Sequence, residues 1–325
     1  MDQPRTHSWM LSLQRDMGHD VLIEGDYNGS HSDNLFTQTD VNRFPGDLVI
    51  HNGTQTRLNP FFGPIVFGRT MGVADGNYGT FMVSKRFRQN WSLRGIFTVG
   101  KSTDYLSSND NGTTNGEAIL NPLDVAAQHG LSDYDVGRRF TLDSVVNIPV
   151  PWREGMAARV LGGWHFSTIA TLQSGQPFTV FSSAPYNVVN GVNVGGDFNA
   201  DGYDYDTPDT PSFGNKKSAS RSDFITGAFP ASAFPVPAPG HQGNLGRNTF
   251  QGPGLANANV EFSKASRIPW FTSEGASLEI RADIFNLFNR VNLTNPVSDL
   301  ASSLFGRSTS QILPRAAQFG IHISY

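Results

Sequence analysis

At 325 residues with a net charge of −4 and no long basic run, the chain can form one large β domain or two ordinary ones and lacks the electrostatic footprint of a nucleic-acid binder. It has no cysteine, which excludes disulfide frameworks, thiolate metal sites and cysteine nucleophiles and is compatible with export. Only 38% of residues are hydrophobic while Gly numbers 34 and Pro 19, a balance that suits many strands joined by turns, with the 24 Phe carrying much of the burial.

No run of 18 apolar residues offers a transmembrane helix. The opening MDQPRTHSWMLSLQRD lacks both the basic and the apolar parts of a signal peptide, so an exported form is expected to carry further sequence.

In chain order, alternation first appears in THSWMLSLQRD and DVLIEGDYNGS. Trp9, Leu11 and Leu13 share one face; Val21, Ile23 and Tyr27 do the same, opposite Glu24 and Asp26. A long loop is expected over about 31–77, where Asn, Gly, Pro and Thr erase the pattern. NYGTFMVSKRF and NWSLRGIFTVG follow as a hairpin, with Phe81, Val83 and Phe87 grouped and then Trp91, Leu93, Phe97 and Val99. A second loop covers about 101–136, with one helical turn expected in NPLDVAAQHG. GRRFTLDSVVNIP sets Phe140 and Leu142 against Arg139 and Asp143. PVPWREGMA reads as a tight connection, and LGGWHFSTIATLQSG as the next strand, prolonged by PFTVFS.

The longest loop is expected over about 183–254, rich in Gly, Pro, Asp and Asn. LANANVEFSK turns Ala258, Val260 and Phe262 away from Glu261. GASLEIRADIFNLFNR has the sharpest pattern, with Leu278, Ile280, Ala282 and Ile284 alternating with Glu279, Arg281 and Asp283. One face needs water and the other needs oil, as in a soluble sandwich or in a barrel wall between lipid and a wet lumen. In a barrel the register is firmly set, because a charge turned to lipid at mid-depth costs roughly 2–4 kcal/mol. After a loop at about 291–313, PRAAQFGIHISY places Phe319, Ile321, Ile323 and Tyr325 on one face.

These are about 9–10 antiparallel strands with connections alternating short and long, the asymmetry of an outer-membrane β-barrel with tight periplasmic turns and long extracellular loops. Trp91, Trp152 and Trp270 fall at the short turns and Trp164 just after one, as an interfacial aromatic girdle would; core tryptophans of a soluble β-protein are the other reading. The fold class expected is all-β, a transmembrane barrel segment.

The segments SWMLSLQRDMGHDVLIEGDYNGS, LSDYDVGRRFTLDSVVNIP, GGWHFSTIATLQSGQPFTV, GNLGRNTFQGPGLANANVEFSK and LEIRADIFNLFNRVNLTNP, with the closing FGIHISY, resemble the C-terminal barrel region of TonB-dependent outer-membrane receptors. The nearest group is the Oar-like branch, whose members carry a carboxypeptidase-regulatory-like domain before the plug. The resemblance implies active uptake of a large solute, a bacterial outer-membrane location and a single barrel region over 1–325, part of a larger barrel of about 22 strands. It implies as partners a plug domain and N-terminal part of the same receptor, the TonB system acting through them, the outer-membrane assembly machinery and the lipid bilayer. Neither plug nor signal peptide is legible in this sequence, so the chain is expected to be part of a receptor.

Three candidate sites follow. Phe319, Ile321, Ile323 and Tyr325 resemble the terminal signal read by the assembly machinery. Glu24, Asp26, Arg139, Asp143, Glu261, Glu279, Arg281 and Asp283 are expected to face the lumen, either pairing across strands to solvate the wall or contacting plug or substrate. In DFNADGYDYD, Asp197, Asn199, Asp201 and Gly202 match the first, third, fifth and sixth positions of a calcium loop, with Asp204 as a further oxygen donor. Pro208 stands where that loop needs a bidentate Glu, and a solvated acidic loop tip is the alternative. No cofactor is required by the pattern, Ca²⁺ being the one candidate. A calcium-loaded surface-binding protein is therefore the competing function. No catalytic constellation is visible: the eight His are scattered and no GxSxG or P-loop is present.

Overall fold

The computed structural model describes residues 2–42, 57–63, 65–88, 90–107, 124–152, 155–185, 187–190, 192–193, 195–199, 206–213, 219–268, 276–312 and 314–324. Nine long strands run through it: β1 (Arg5–Gly18), β2 (Val21–Asp40), β3 (Val66–Arg88), β4 (Trp91–Asp104), β5 (Arg138–Asn147), β6 (Trp164–Gln173), β7 (Leu255–Ile268), β8 (Ala276–Phe285) and β9 (Ala316–Ser324). Each pairs antiparallel with the next, giving an up-and-down meander whose edges are β1 and β9. Among the described residues the sheet does not close on itself.

Period-two alternation is kept across the whole wall because the ladders hold it in register. Phe81, Phe97, Phe140 and Leu172 stand opposite one another on four successive strands. Their face is water-intolerant yet uncovered by protein, with Leu11 60%, Leu13 70%, Phe319 81% and Ile321 72% exposed. A contiguous apolar surface of that extent is the mark of a lipid-facing wall. The opposite face carries Thr80, Thr98, Arg139 and Gln173 in one row and Ser167, Glu261, Asp283 and Gln318 in another.

At the short-turn rim, His19 and Asp20 both adopt positive φ (55° and 64°), the backbone of a tight two-residue hairpin whose twist matches the strands it joins. Trp91 and Trp164 open β4 and β6 at this rim, with the Lys85 ammonium 4.5 Å from the Trp91 ring centroid and Lys264 5.3 Å from that of Trp164. Such aromatic–cation pairs suit a headgroup interface. Trp270 lies outside the described residues.

The expected loop at about 31–77 is corrected in part. β2 continues to Asp40 and β3 begins at Val66, so the hairpin extends far beyond the roughly 9–11 residues that span a bilayer. In this outer stretch the covered positions, Thr37, Thr39 and Asp40, are polar, so apolar alternation disappears while pairing persists. PVPWREGMA is likewise not a simple tight turn: the connection holds helix α1 (Gly155–Leu161). The C-terminal carbonyls of α1 accept from Lys264 Nζ (Arg159 O at 2.9 Å, Gly162 O at 2.7 Å), and Val160 O accepts from Trp164 Nε1 at 3.2 Å. The helical turn expected after Asn121 appears as a 3₁₀ segment, Val125–Gln128, capped by Asp124. PFTVFS does not prolong β6; Pro177–Phe178 instead pairs with Phe250–Gln251 in a separate small ladder.

The hydrophobic core lies not in the sheet but in the long connections. Phe178, Val180, Phe224, Phe229, Phe234, Leu245, Phe250, Leu293 and Phe305 form one buried cluster. The rings of Phe229 and Phe250 are 5.0 Å apart, and Phe234 meets Phe305 edge-on at 5.5 Å. Each buried Phe contributes roughly 1.5–3 kcal/mol. The β6–β7 and β8–β9 connections are thereby one folded body and not separate solvated loops.

Candidate functional site

On the polar face the expected charges fall where alternation puts them, and most are engaged. Arg94 Nε donates to Asp143 at 2.8 Å, Gln14 to Glu24 at 2.9 Å and Arg139 Nε to Gln173 Oε1 at 3.1 Å. Arg281 lies 2.9 Å from Asp283 and 3.4 Å from Glu261, whose carboxylate also accepts from Ser167 at 3.1 Å. Glu279 stands opposite His322, and Asp26 between Ser12 and Thr80. The result is a wall solvated by its own cross-strand pairs. Sequence alternation finds Glu261, Arg281 and Asp283 but gives no weight to Arg94, which stands directly opposite Asp143 on the neighbouring strand.

Above this wall, the folded loops are fastened to the rim by Arg247. Its guanidinium is 2% exposed and donates through Nε to Gln128 O (3.3 Å), through Nη1 to Asp133 (3.0 Å) and through Nη2 to both Asp104 O (2.9 Å) and the Asp104 carboxylate. Asp104 ends β4, so the clamp ties the β6–β7 connection to the β4–β5 side of the barrel mouth. Beside it Asn248 donates to Leu131 O at 2.7 Å and accepts from Thr179 at 3.1 Å. Close approach of the two arms leaving β6 and β7 requires Gly175, where a Cβ would collide with the Gly252 carbonyl.

FNLFNRVNLTN owes its asparagines to the turn after β8. Asn286 and Asn289 take φ of 50° and 49°, a conformation that Asn tolerates better than most residues. Asn286 Nδ2 donates to Arg290 O at 2.9 Å while Asn286 Oδ1 accepts from Arg290 N at 3.0 Å. Asn259 Oδ1 accepts from Asn286 N at 3.0 Å, and Asn292 Oδ1 from Ala256 N at 3.0 Å, binding the turn to β7.

Asp197 and Asn199 are 3% and 1% exposed, with Phe198 buried between them, so this end of the acidic stretch is not a solvated tip. Asn199 N donates to Asp206 Oδ2 at 3.0 Å, and Asp206 is fully buried. Asp201 and Asp204 lie outside the described residues. Among the described residues no cluster of three or more His, Cys, Asp or Glu forms a metal cage. Phe319, Ile321 and Ile323 lie on the apolar face of β9, paired with Ala282, Ile280 and Leu278; Tyr325 lies outside the described residues.

Among solved structures the fold is similar to the crystal structure of the outer membrane transporter YddB from Escherichia coli, at 10% sequence identity and a TM-score of 0.49, over 98% of this chain and 32% of that one. The chain thus spans about a third of that transporter's length. No curated protein matches it. Residues 1–318 match the family described as outer membrane beta barrel domain. The chain, with its lipid-facing meander and polar inner face, belongs to that family and to the bacterial outer membrane.

Proposed function

We propose that this chain is the C-terminal barrel portion of a TonB-dependent outer-membrane receptor of the Oar-like branch, serving active uptake of a large solute. The observation that carries the reading is the pair of edge strands. β1 and β9 are exposed along their whole length, and backbone groups left unpaired in lipid are prohibitive. A nine-strand arc needs further strands to close, and the lumen of so large a barrel needs a plug. Glu24, Asp26, Arg139, Asp143, Glu261, Glu279, Arg281 and Asp283 then line that lumen, and the Arg247-clamped loops form its outer mouth. The plug and N-terminal part of the same receptor couple it to the TonB system. The assembly machinery inserts it, and no enzymatic step is assigned.

The test is to profile large solutes left in spent medium of the producing bacterium, of a strain lacking this reading frame and of a strain lacking TonB. Shared retention of the same solute in both deletion strains supports the reading. Uptake that persists without TonB contradicts it.

A second reading, a calcium-loaded surface-binding β-protein without transport, draws support from the burial of Asp197, Asn199 and Asp206. On this reading Asp197, Asn199, Asp201 and Asp204 would supply carboxylate and amide oxygens to Ca²⁺.

A further inference from the structure

The groove of ≈ 430 Å³ where the long-loop rim meets the apolar face combines two chemistries. Its floor is Phe97, Phe140 and Leu172, which stand in one row of the lipid-facing wall. Its upper edge holds Arg138, Arg221 and Arg290, from three separate elements. Arg138 pairs with Val99 and so projects from the apolar face. All three arginines are exposed, and among the described residues none has a carboxylate partner. Asp223, the acid nearest Arg221 in sequence, accepts from Ser220 N in the capping box of its helix (Arg221–Thr226).

The main chain is fixed at Arg138 and Arg290, and the side chain at Arg221. Arg138 N donates to Ser174 Oγ at 3.1 Å. Arg221 Nε and Nη2 donate to Val291 O at 3.2 and 3.1 Å, leaving other donors of its fork outward. Arg290 is set by the Asn286 turn. Three cations above an oily floor match an amphiphile with phosphates on its head and acyl chains below. The long-loop rim faces the outer leaflet, whose lipid is a phosphorylated glucosamine disaccharide carrying several acyl chains. We propose that Arg138, Arg221 and Arg290 bind the phosphates of lipid A, with an acyl chain lying along Phe97, Phe140 and Leu172. Arginine suits the role because its planar fork grips phosphate oxygens in pairs.

The experiment is native mass spectrometry of the protein purified from outer membranes in mild detergent, titrated with bisphosphorylated lipid A, dephosphorylated lipid A and inorganic phosphate. The wild-type protein is expected to bind the bisphosphorylated form at least tenfold more tightly than the dephosphorylated one. The double variant Arg221→Gln/Arg290→Gln is expected to lose that preference, and Arg138→Gln to weaken it. Arg15→Gln, which removes an outward arginine at the opposite rim, is expected to leave it unchanged. Equal binding of the two lipid A forms by the wild-type protein overturns the proposal and needs no variant to fold. Saturation by inorganic phosphate with the affinity of lipid A also overturns it, making the cluster a soluble-anion site.

Discussion

Arg247 and Asp133, 114 residues apart in sequence, meet at 3.0 Å with the Arg247 guanidinium almost wholly buried. With Asp104 on the other side of the fork, this one side chain joins the β6–β7 connection to the β4–β5 connection and to the end of β4. A buried cation that loses its partner, or buried carboxylates that lose theirs, cost about 3–5 kcal/mol. Arg247→Ala is therefore expected to loosen the loop body while leaving the wall intact. Limited proteolysis should cut the variant within 219–254 far faster than wild type, with unchanged heat-modifiable migration of the barrel. Equal protease resistance would mean that the clamp does not hold the loops.

The aromatic core beneath the clamp gives an independent handle. Phe250 is 1% exposed and contacts the rings of Phe178, Phe229 and Phe234. Truncating a buried Phe to Ala costs about 3–5 kcal/mol. Phe250→Ala should lower the melting temperature of the loop body as read by near-ultraviolet circular dichroism, without altering barrel assembly. A surface control, Phe288→Ala, removes a ring that is 76% exposed and is expected to have little effect.

The wall was legible in the sequence and the loop body was not, for a physical reason. Between lipid and water every second residue must change polarity, so Leu278–Ile284 displays its two faces in the order of the letters. The loop core is assembled from Phe178, Phe224, Phe250 and Phe305, residues from distant places that share no period. Nothing local distinguishes a Phe that finds such partners from one that does not. The protruding hairpin of β2 and β3 was hidden for the converse reason, since its buried positions, Thr37, Thr39 and Asp40, are polar and leave no apolar alternation to show. Arg138, Arg221 and Arg290 are unremarkable as letters, and only the fold gathers them above Phe140.

Calcium is expected to act on the loop body through Asp197, Asn199 and Asp206. Added Ca²⁺ should raise the loop melting temperature of the wild-type protein, and Asp206→Asn should abolish the rise. Isothermal titration showing no heat with Ca²⁺, or an equal rise in the variant, removes the calcium reading.

Deleting Tyr325 shortens the apolar row of Phe319, Ile321 and Ile323 by its final aromatic, and the outer-membrane level of the protein should fall severalfold in quantitative immunoblots. Unchanged folded protein in the outer membrane would show that the row serves only as a lipid-facing wall.

β8 crosses the membrane with lipid on one face and water on the other. Because the chain has no cysteine, single substitutions can be read without background. Leu278, Ile280 and Ala282 to Cys, and Glu279, Arg281 and Asp283 to Cys, should be treated in outer-membrane vesicles with a membrane-impermeant maleimide. Labelling confined to the second set, with the first set reacting only after detergent solubilisation, is the predicted result. Uniform labelling of all six positions would contradict a lipid-embedded wall.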